Sequence, residues 1–267
     1  MAVRLGLWGT SADLPLDMDE AAAAALGRRY RDAGLRIVQV PCPRNLSTPV
    51  AAVRAQAVRD LRQALRLGSA AGALHVVSGA GHRDPERAGE TSADHPDNAR
   101  DEALDTLAQS CRDIVAAHAV PPARLLIATS VGGPVDTLWR AAEVVRRVAD
   151  PRCAILFDPV GLMQIETYFD NGSFVARCVQ QLAGAIGLVR ARDALMRPDP
   201  FRFALAEVPL GDGALDYPAL LRALAALPGE VPLLVTGAAS EAALRAALDH
   251  LRATAARVGV AVGGAAD

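Results

Sequence analysis

The chain has no lysine at all. Its 28 basic residues are therefore all arginines, and 30 acidic residues bring the formal net charge to −2. Without lysine, the chain can form no Schiff base through a side-chain amine and has no lysine general base. The slightly acidic balance and the lack of a basic stripe also argue against a nucleic-acid partner. We therefore expect neither lysine chemistry nor nucleic-acid binding.

Long apolar runs and paired cysteines are also missing. No apolar stretch approaches the roughly 20 residues that span a bilayer, and the N-terminus has no signal-peptide core. The four cysteines have no CxxC spacing: they are Cys42, Cys111, Cys153 and Cys178. In a chain of this length they indicate reduced, buried thiols. The sequence predicts a cytoplasmic globular protein with no membrane partner.

The sequence does contain a regular alternation of short apolar runs and helical segments. Each run ends at turn residues, as in strands buried on both faces of a parallel sheet. The eight predicted strands are Val3–Trp8, Leu35–Val40, Ala73–Val77, Arg124–Ala128, Cys153–Phe157, Ile186–Ala191, Phe203–Val208 and Val231–Val235. Strict β–α alternation predicts parallel pairing with right-handed crossovers. We predict an α/β fold, a single (β/α)8 TIM barrel over residues 1–260, followed by a flexible tail over 261–267.

An open, doubly wound sheet is the alternative topology. It is disfavoured because no GxGxxG motif follows the first strand, so the usual nucleotide-binding fingerprint is absent.

Polar residues collect where the predicted strands end, and Asp158 is the central one. It closes the uninterrupted run CAILF and precedes Pro159, which cannot donate a ladder hydrogen bond. In an α/β barrel the C-terminal strand tips line one pocket that holds the chemistry. The other predicted tip residues are Trp8, Cys42, Ser78, His82, Thr129, Arg190, Arg192, Asp193, Glu207 and Thr236.

Four segments of the second half resemble the xylose isomerase-like superfamily, in this order and spacing. They are FDPVGL from Phe157, IGLVRARD from Ile186, EVPLGDGALDY from Glu207 and VPLLVTG from Val231. The superfamily includes sugar isomerases and epimerases, inosose dehydratase and the AP endonucleases of family 2. The first half resembles it only in the rhythm of strands and helices. The resemblance implies a TIM barrel and chemistry on a small polyhydroxy or carbonyl compound.

The resemblance also implies a divalent metal held by Glu, Asp, His and Glu at the tips of strands four, five, six and eight. Only the aspartate, Asp158, is present here. The other three tips hold Thr129 or its neighbour, Arg190 and Thr236. One carboxylate beside a permanent cation is a poor ligand set for a hard divalent ion. We therefore expect no metal and no other cofactor.

Arg190 thus stands where the family has a metal ligand, and two interpretations remain open. In the functional one, Arg190 replaces the metal as electrophile while Asp158 acts as a base or orients the substrate. In the structural one, the two residues form an ion pair in a barrel that has lost its chemistry. His82, in the glycine-rich loop after strand three, is the best-placed imidazole for proton transfer, although exposed loop histidines are common.

The remaining tip residues are candidates for substrate binding. Small residues that lead into a helix expose backbone N–H groups to anions, which points to the loops after strands seven and eight. Trp8 could stack on a sugar face or simply close the barrel, and the tip carboxylates could support the arginines. The predicted catalytic residues are Asp158, Arg190 and His82, and the predicted substrate-binding residues are Trp8, Thr129, Arg192, Asp193, Glu207, Gly211, Gly213 and Thr236.

The sequence therefore predicts an isomerase- or epimerase-like enzyme, or a lyase. Its substrate would be a small polyhydroxy or anionic carbonyl compound, handled without a divalent metal. The alternative is a non-catalytic barrel that binds a metabolite or a partner protein. We expect a small-molecule substrate, a possible homo-oligomer, and a mobile loop over the pocket from Ser78 to Asp97.

Overall fold

The computed structural model describes residues 5–6, 9–117, 123–198 and 203–263. Its strands are β1 (Leu5–Gly6), β2 (Gly9–Ser11), β3 (Arg36–Pro41), β4 (His75–Gly79), β5 (Arg124–Ala128), β6 (Cys153–Phe157), β7 (Ile186–Ala191), β8 (Asp193–Arg197), β9 (Ala204–Val208), β10 (Val231–Val235) and β11 (Val262–Gly263). Its α-helices are α1 (Glu20–Asp32), α2 (Ala51–Ala71), α3 (Asp101–Ala116), α4 (Leu138–Val148), α5 (Ile165–Tyr168), α6 (Asn171–Gln181), α7 (Tyr217–Ala225) and α8 (Glu241–Arg257). Two short 3-10 turns cover Pro96–Ala99 and Val160–Leu162.

Seven parallel strands curl into a nearly closed barrel with the helices outside it, which confirms the predicted TIM-barrel class. The sheet order is β11-β1-β10-β7-β6-β5-β4-β3-β2. The start of the chain contributes a strand near each end of the sheet, because β1 pairs with β10 and β2 pairs with β3. The barrel interior is apolar and small, built from Val38, Val77, Leu126, Ala154, Leu156, Leu188 and Leu234.

The seventh predicted strand does not join this barrel. Ala204–Val208 forms β9, which pairs antiparallel with β8, Asp193–Arg197, in a separate two-stranded sheet. The prediction of eight parallel strands is wrong at this point. A parallel crossover needs a dozen or more residues, and the chain between Arg197 and Ala204 is too short for one. The short connection instead makes a hairpin.

Side-chain capping marks the start of α1 but not that of α2. Asp19 caps α1, since its carboxylate accepts the N–H of Ala22 at 2.7 Å. α2 begins at Ala51, after Val50, which has no capping side chain. Among the described residues, no helix combines the length and the apolar character needed to cross a bilayer.

The C-terminal residues bear on the predicted tail. Val262–Gly263 pairs in parallel with Leu5–Gly6, so part of the predicted tail extends the sheet. Residues 264–267 lie outside the described part of the chain. The single-domain boundary at residue 260 stays a prediction.

Candidate active site

Asp158 lies just beyond the end of β6 and has no exposed surface. Its oxygen Oδ1 accepts the backbone N–H of Gly161 at 3.0 Å. Gly161 suits this turn because a Cβ there would lie 3.2 Å from the Asp158 carboxyl carbon and 3.1 Å from the carbonyl oxygen of Thr129. The carboxylate is therefore held from behind by its own turn, and its remaining partners come from the neighbouring strand.

Two arginines from β7 and its continuation complete the surroundings of Asp158. The Arg190 guanidinium lies 3.4 Å from Oδ2, and the Arg192 guanidinium lies 2.7 Å from the same oxygen and 3.2 Å from Oδ1. The predicted pair between Asp158 and Arg190 is present, but Arg192 makes the shorter contacts. The spacing of the two arginines in the sequence already indicates that Arg192 also reaches Asp158. Residues two apart on a strand share a face, so Arg192 follows Arg190 into the barrel mouth.

Arg192 is the better anchored of the two arginines. It also contacts Glu207 of β9 at 3.4 Å, and its backbone carbonyl accepts the Tyr217 hydroxyl at 2.9 Å. Burial alone would lower the pKa of Arg192, but the charges of Asp158 and then Glu207 outweigh it and raise that pKa. Arg192 is a permanent cation fixed in place by two carboxylates.

Arg190 has more of its donor capacity left over. Among the residues that the structure describes, its recorded polar partner is Asp158 alone, through one nitrogen at 3.4 Å. A guanidinium carries five N–H donors, so most of those on Arg190 remain available for a ligand oxygen. Its side chain is 28% exposed. Arg190 is therefore held on one side and open on the other.

A cavity of about 590 Å³ lies in front of this cluster. Arg190, Arg192 and Glu207 bring charged groups to its wall, while the buried carboxylate of Asp158 stands behind the arginines. Sequence reasoning missed the rest of the lining, which comes from the loops after β5 and β6 and from the β8–β9 hairpin. These residues include Met163, Gln164, Ala194, Phe203 and Leu205. The hairpin residues could not be found because their strand was assigned to the barrel.

Glu207 is the most accessible carboxylate in this cavity, with a side chain that is 43% exposed. It packs against Gly237, where a Cβ would come within 1.9 Å of its oxygen Oε1. Gly237 has a φ of +78°, a backbone conformation that also favours glycine. The loop after β10 therefore leaves room for the carboxylate to reach the mouth.

Thr129 and Thr236, predicted to bind substrate, occupy different positions. The Thr129 hydroxyl accepts the N–H of Asp158 at 3.3 Å and donates to its carbonyl at 3.4 Å, so it holds the Asp158 turn while lining the cavity. Thr236 lines a separate cavity of about 370 Å³ beside α8, which Glu207 also borders. Trp8 lies outside the described residues.

The structure does not bring His82 into the cavity with the arginines. The ring is fully buried: its Nδ1 accepts the Asp84 N–H at 3.2 Å and its Nε2 lies 3.2 Å from the Glu90 carbonyl. Since Nδ1 accepts, the proton is on Nε2 and donates to that carbonyl. Both ring nitrogens hold the loop, so we assign His82 a structural role in place of proton transfer. Asp84 meets the ring through its backbone N–H and not through its carboxylate.

Asp193, Gly211 and Gly213 belong to a loop next to the site that is held together by hydrogen bonds. The buried carboxylate of Asp193 accepts four backbone N–H groups at 3.0–3.1 Å, from Ala194, Gly211, Gly213 and Leu215. The two glycine N–H groups that sequence reasoning offered to an anionic ligand are thus already used. We assign these three residues to loop structure.

The loop from Ser78 to Asp97, predicted to be mobile, is tied to its neighbours by buried amides. Asn45 donates to the Ala88 carbonyl at 3.2 Å, and Asn98 donates to the Ala93 and Gly132 carbonyls at 2.9 Å each. These bonds fix the shape of the loop in this conformation. Its motion on ligand binding stays a prediction.

The residues at the barrel mouth do not fit the metal that the sequence resemblance implies. Both oxygens of Asp158 face N–H donors, and the neighbouring tips offer two guanidinium groups and a threonine hydroxyl that is already bonded. Within the described part of the chain, no group of three His, Cys, Asp or Glu side chains is arranged to hold an ion. A dication would lie against permanent positive charges.

Solved structures share this fold at low sequence identity. The probable 3-DHS dehydratase AsbF of Bacillus anthracis is 17% identical, with a TM-score of 0.66 over 92% of this chain and 88% of its own. A xylose isomerase-like TIM barrel protein of Mycobacterium smegmatis, in complex with magnesium, is 15% identical, with a TM-score of 0.64 over 94% and 84%. An L-ribulose 3-epimerase is 17% identical, with a TM-score of 0.62 over 94% and 86%.

At these identities the solved structures show a common fold and no common activity. No curated protein matches the chain. The model of the xylose isomerase-like TIM barrel family matches residues 1–254, nearly the whole length. The resemblance in the strand-tip segments is therefore confirmed, and this chain belongs to the xylose isomerase-like TIM barrel family.

Proposed function

We propose that the protein is an isomerase- or epimerase-like enzyme, or a lyase, that moves a proton next to the carbonyl of a small anionic compound without a divalent metal. The carrying observation is the position of Arg190. Its guanidinium is anchored by Asp158 at 3.4 Å and directs its remaining donors into a cavity of about 590 Å³. Family membership and the dehydratase and epimerase folds support this class of chemistry.

Arg190 supplies the electrophile in this proposal. When a proton leaves the carbon next to a carbonyl, the electron pair moves onto the carbonyl oxygen, and a fixed cation stabilises the resulting enolate. Asp158 orients the Arg190 guanidinium, and Arg192 in turn holds Asp158 in place.

Glu207 is the residue that we propose as proton acceptor, in place of Asp158. Asp158 is shielded from the cavity and engaged by two guanidinium groups and one N–H. Glu207 lines the cavity and has one contact at 3.4 Å to Arg192. The proton that it takes returns to the neighbouring carbon in an isomerase; in an epimerase it passes to solvent, and a water molecule protonates the carbon from the opposite face. In a lyase it leaves with a departing hydroxide as water.

Deuterium exchange tests this proposal without knowledge of the final product. The protein, treated with EDTA, is incubated in D2O with a panel of sugar acids and 2-oxo acids, and loss of the proton next to the carbonyl is followed by NMR. We expect exchange in an anionic member of the panel. Arg190→Met and Glu207→Gln should each slow it by about 100-fold while the fold is kept. Arg245→Met, at a 75% exposed side chain on α8, is the matched control and should exchange at the unaltered rate.

Two results would overturn the proposal. One is exchange that appears only after a divalent metal is added. The other is a lack of exchange with every anionic compound, together with unchanged binding in Arg190→Met. The second result would favour the non-catalytic barrel, whose support is that Asp158 and the arginines also form a self-consistent ion-pair cluster.

A further inference from the structure

The cavity in front of the arginines has an apolar wall on the side of the β8–β9 hairpin. Residues two apart on a strand share a face, and Leu205 and Glu207 of β9, with Phe203 just before it, all line the cavity. Ala194, the cross-strand partner of Glu207, lines it as well. One face of the hairpin therefore turns toward the cavity, with a carboxylate at one end and hydrocarbon over the rest.

The carboxylate end of this hairpin face is the end next to the arginines. Glu207 contacts Arg192 at 3.4 Å, whereas the apolar residues lie earlier on the same strand. Because a strand advances by roughly 3.3 Å per residue, Leu205 lies about 7 Å from Glu207 along the chain, and Phe203 about twice as far. A molecule that lies along this face with its head at the arginines therefore reaches Leu205 and then Phe203.

The aromatic end of the hairpin face is held in place by Tyr168 of α5. The Tyr168 ring packs edge-to-face on Phe203, with ring centroids 6.0 Å apart. Its hydroxyl accepts the backbone N–H of Met196 in β8 at 3.0 Å, which ties the hairpin to the loop after β6. Phe203 is thus fixed before a ligand arrives, and a preformed apolar surface loses little conformational freedom on binding.

The neutral polar side chains on the cavity wall are few, and two of the three are engaged. They are Thr129, Ser130 and Gln164. The Thr129 hydroxyl bonds to the backbone N–H and carbonyl of Asp158, and the Gln164 side chain accepts the N–H of Thr167 at the start of α5. Each hydroxyl that a polyhydroxy ligand buries needs a partner, and one left without a partner lowers the affinity. The wall therefore suits a hydrocarbon better than a chain of hydroxyl groups.

We infer that the substrate is a 2-oxo acid with an apolar side chain, whose acid and carbonyl groups meet Arg190 and whose hydrocarbon lies against Leu205 and Phe203. This inference rests on the proposed function and names its substrate class. In this arrangement the carbon next to the carbonyl lies beside Glu207, the proposed proton acceptor. The proton passes to Glu207, the C–H electron pair forms the double bond of the enolate, and the carbonyl electron pair moves onto the oxygen at Arg190.

Calorimetric titration with three 2-oxo acids tests the inference. Pyruvate carries the head group alone, 2-oxo-4-phenylbutanoate adds an apolar side chain, and 2-oxogluconate adds a chain of hydroxyl groups. We expect 2-oxo-4-phenylbutanoate to bind at least about 10-fold more tightly than either of the others, because burial of part of its hydrocarbon supplies that difference.

Two variants of the apolar wall and one control locate the effect. Phe203→Ala should weaken binding of 2-oxo-4-phenylbutanoate by about 10-fold and leave pyruvate binding unchanged. Leu205→Thr, which keeps a residue that suits a strand, should weaken it by about 5-fold. Phe169→Ala is the matched control: Phe169 also packs on Tyr168, at 5.1 Å, but it is 79% exposed and lies outside the cavity wall. It should leave all three affinities as they are.

The outcomes separate this inference from the proposed function. The apolar substrate would be overturned by 2-oxogluconate or pyruvate binding as tightly as 2-oxo-4-phenylbutanoate. It would also be overturned by a preference that both Phe203→Ala and Leu205→Thr leave in place. In either case the arginine site would still stand if Arg190→Met weakened pyruvate binding by about 10-fold or more. Pyruvate binding that does not depend on Arg190 would overturn the proposed function, and binding of none of the three acids would overturn both.

Discussion

Asp158 and Asp193 are both buried carboxylates; Asp158 follows β6, and Asp193 is the first residue of β8, directly after Arg192. Asp193 is satisfied by four backbone N–H groups of its own loop. Asp158 has one backbone partner and relies on the guanidinium groups of Arg190 and Arg192 for the rest. A backbone amide has a single N–H, which the carboxylate uses up, whereas a guanidinium bound to a carboxylate still has unused N–H donors.

We expect this difference to distinguish an acid that stabilises a loop from one that orients ligand-binding groups in this barrel. A carboxylate closed by backbone N–H groups stabilises a loop and presents nothing to a ligand. A carboxylate closed by side-chain cations instead orients their unused donors toward the cavity. Three predictions test this comparison, from the largest expected effect to the smallest.

The largest effect is expected at Asp193. Asp193→Ala would leave four backbone N–H groups without their acceptor, at roughly 1 kcal/mol or more each, so we expect the free energy of unfolding to fall by about 4 kcal/mol. Chemical denaturation measures it. Asp212→Ala, at an exposed residue of the same loop, is the control and should change stability by less than about 0.5 kcal/mol. Equal stability of the two variants would refute the structural role of Asp193.

A third buried titratable group, His75, lies on β4 and has one ring nitrogen without a partner. Burial first, and then the charge of Arg124, lower the pKa of His75 to about 4. The His75 ring is therefore protonated near pH 6.5 in the unfolded chain but only near pH 4 in the folded chain. Stability contributed by the neutral ring is complete above pH 6.5 and falls as the pH drops toward 4, by up to about 3 kcal/mol.

Denaturation between pH 7 and pH 4 measures this effect by comparing the unaltered chain with His75→Leu. We expect the variant to show the shallower loss of stability as the pH falls. Parallel curves for the two proteins would show that the ring does not resist protonation. Charging a buried group at the N-terminal end of the barrel would then cost no more than charging one at its mouth.

The smallest effect separates the two arginines. Arg192→Met removes the contacts to Asp158 at 2.7 and 3.2 Å and leaves a buried carboxylate with the weaker partner, so we expect a loss of about 2 kcal/mol in unfolding free energy. Arg190→Met removes one contact at 3.4 Å and should cost less than about 1 kcal/mol. Urea denaturation of both variants decides the order. If Arg190→Met proved the costlier change, Arg190 would be the structural partner.

Much of the barrel could be predicted from the sequence because its strands are continuous apolar runs. β5, β6, β7 and β10 lie at the predicted bounds, since each run is flanked by turn residues that stop the ladder. The partner of Ala204–Val208 could not be predicted from its composition alone. It follows from the length of the preceding connection, which is too short for a crossover and sufficient for a hairpin.

Within the site, the contact between Asp158 and Arg190 was predictable because tips of neighbouring parallel strands face the same opening. The surroundings of His82 and Asp193 were not. His82 is bonded to the Glu90 carbonyl and Asp193 to N–H groups up to 22 residues away, and such backbone partners leave no mark in side-chain identity. The roles of these residues in binding or catalysis stay predictions.

The β8–β9 hairpin forms part of the cavity wall but is not part of the barrel sheet. It supplies Glu207 and much of the apolar lining of the cavity, yet in the described structure it shares no ladder hydrogen bonds with the barrel. A wall of this kind can vary in length and composition while the barrel stays intact, in the way that antibody loops vary on a constant scaffold. Selection for new substrates, in nature or in the laboratory, would find its most tolerant target in the hairpin positions other than Asp193 and Glu207.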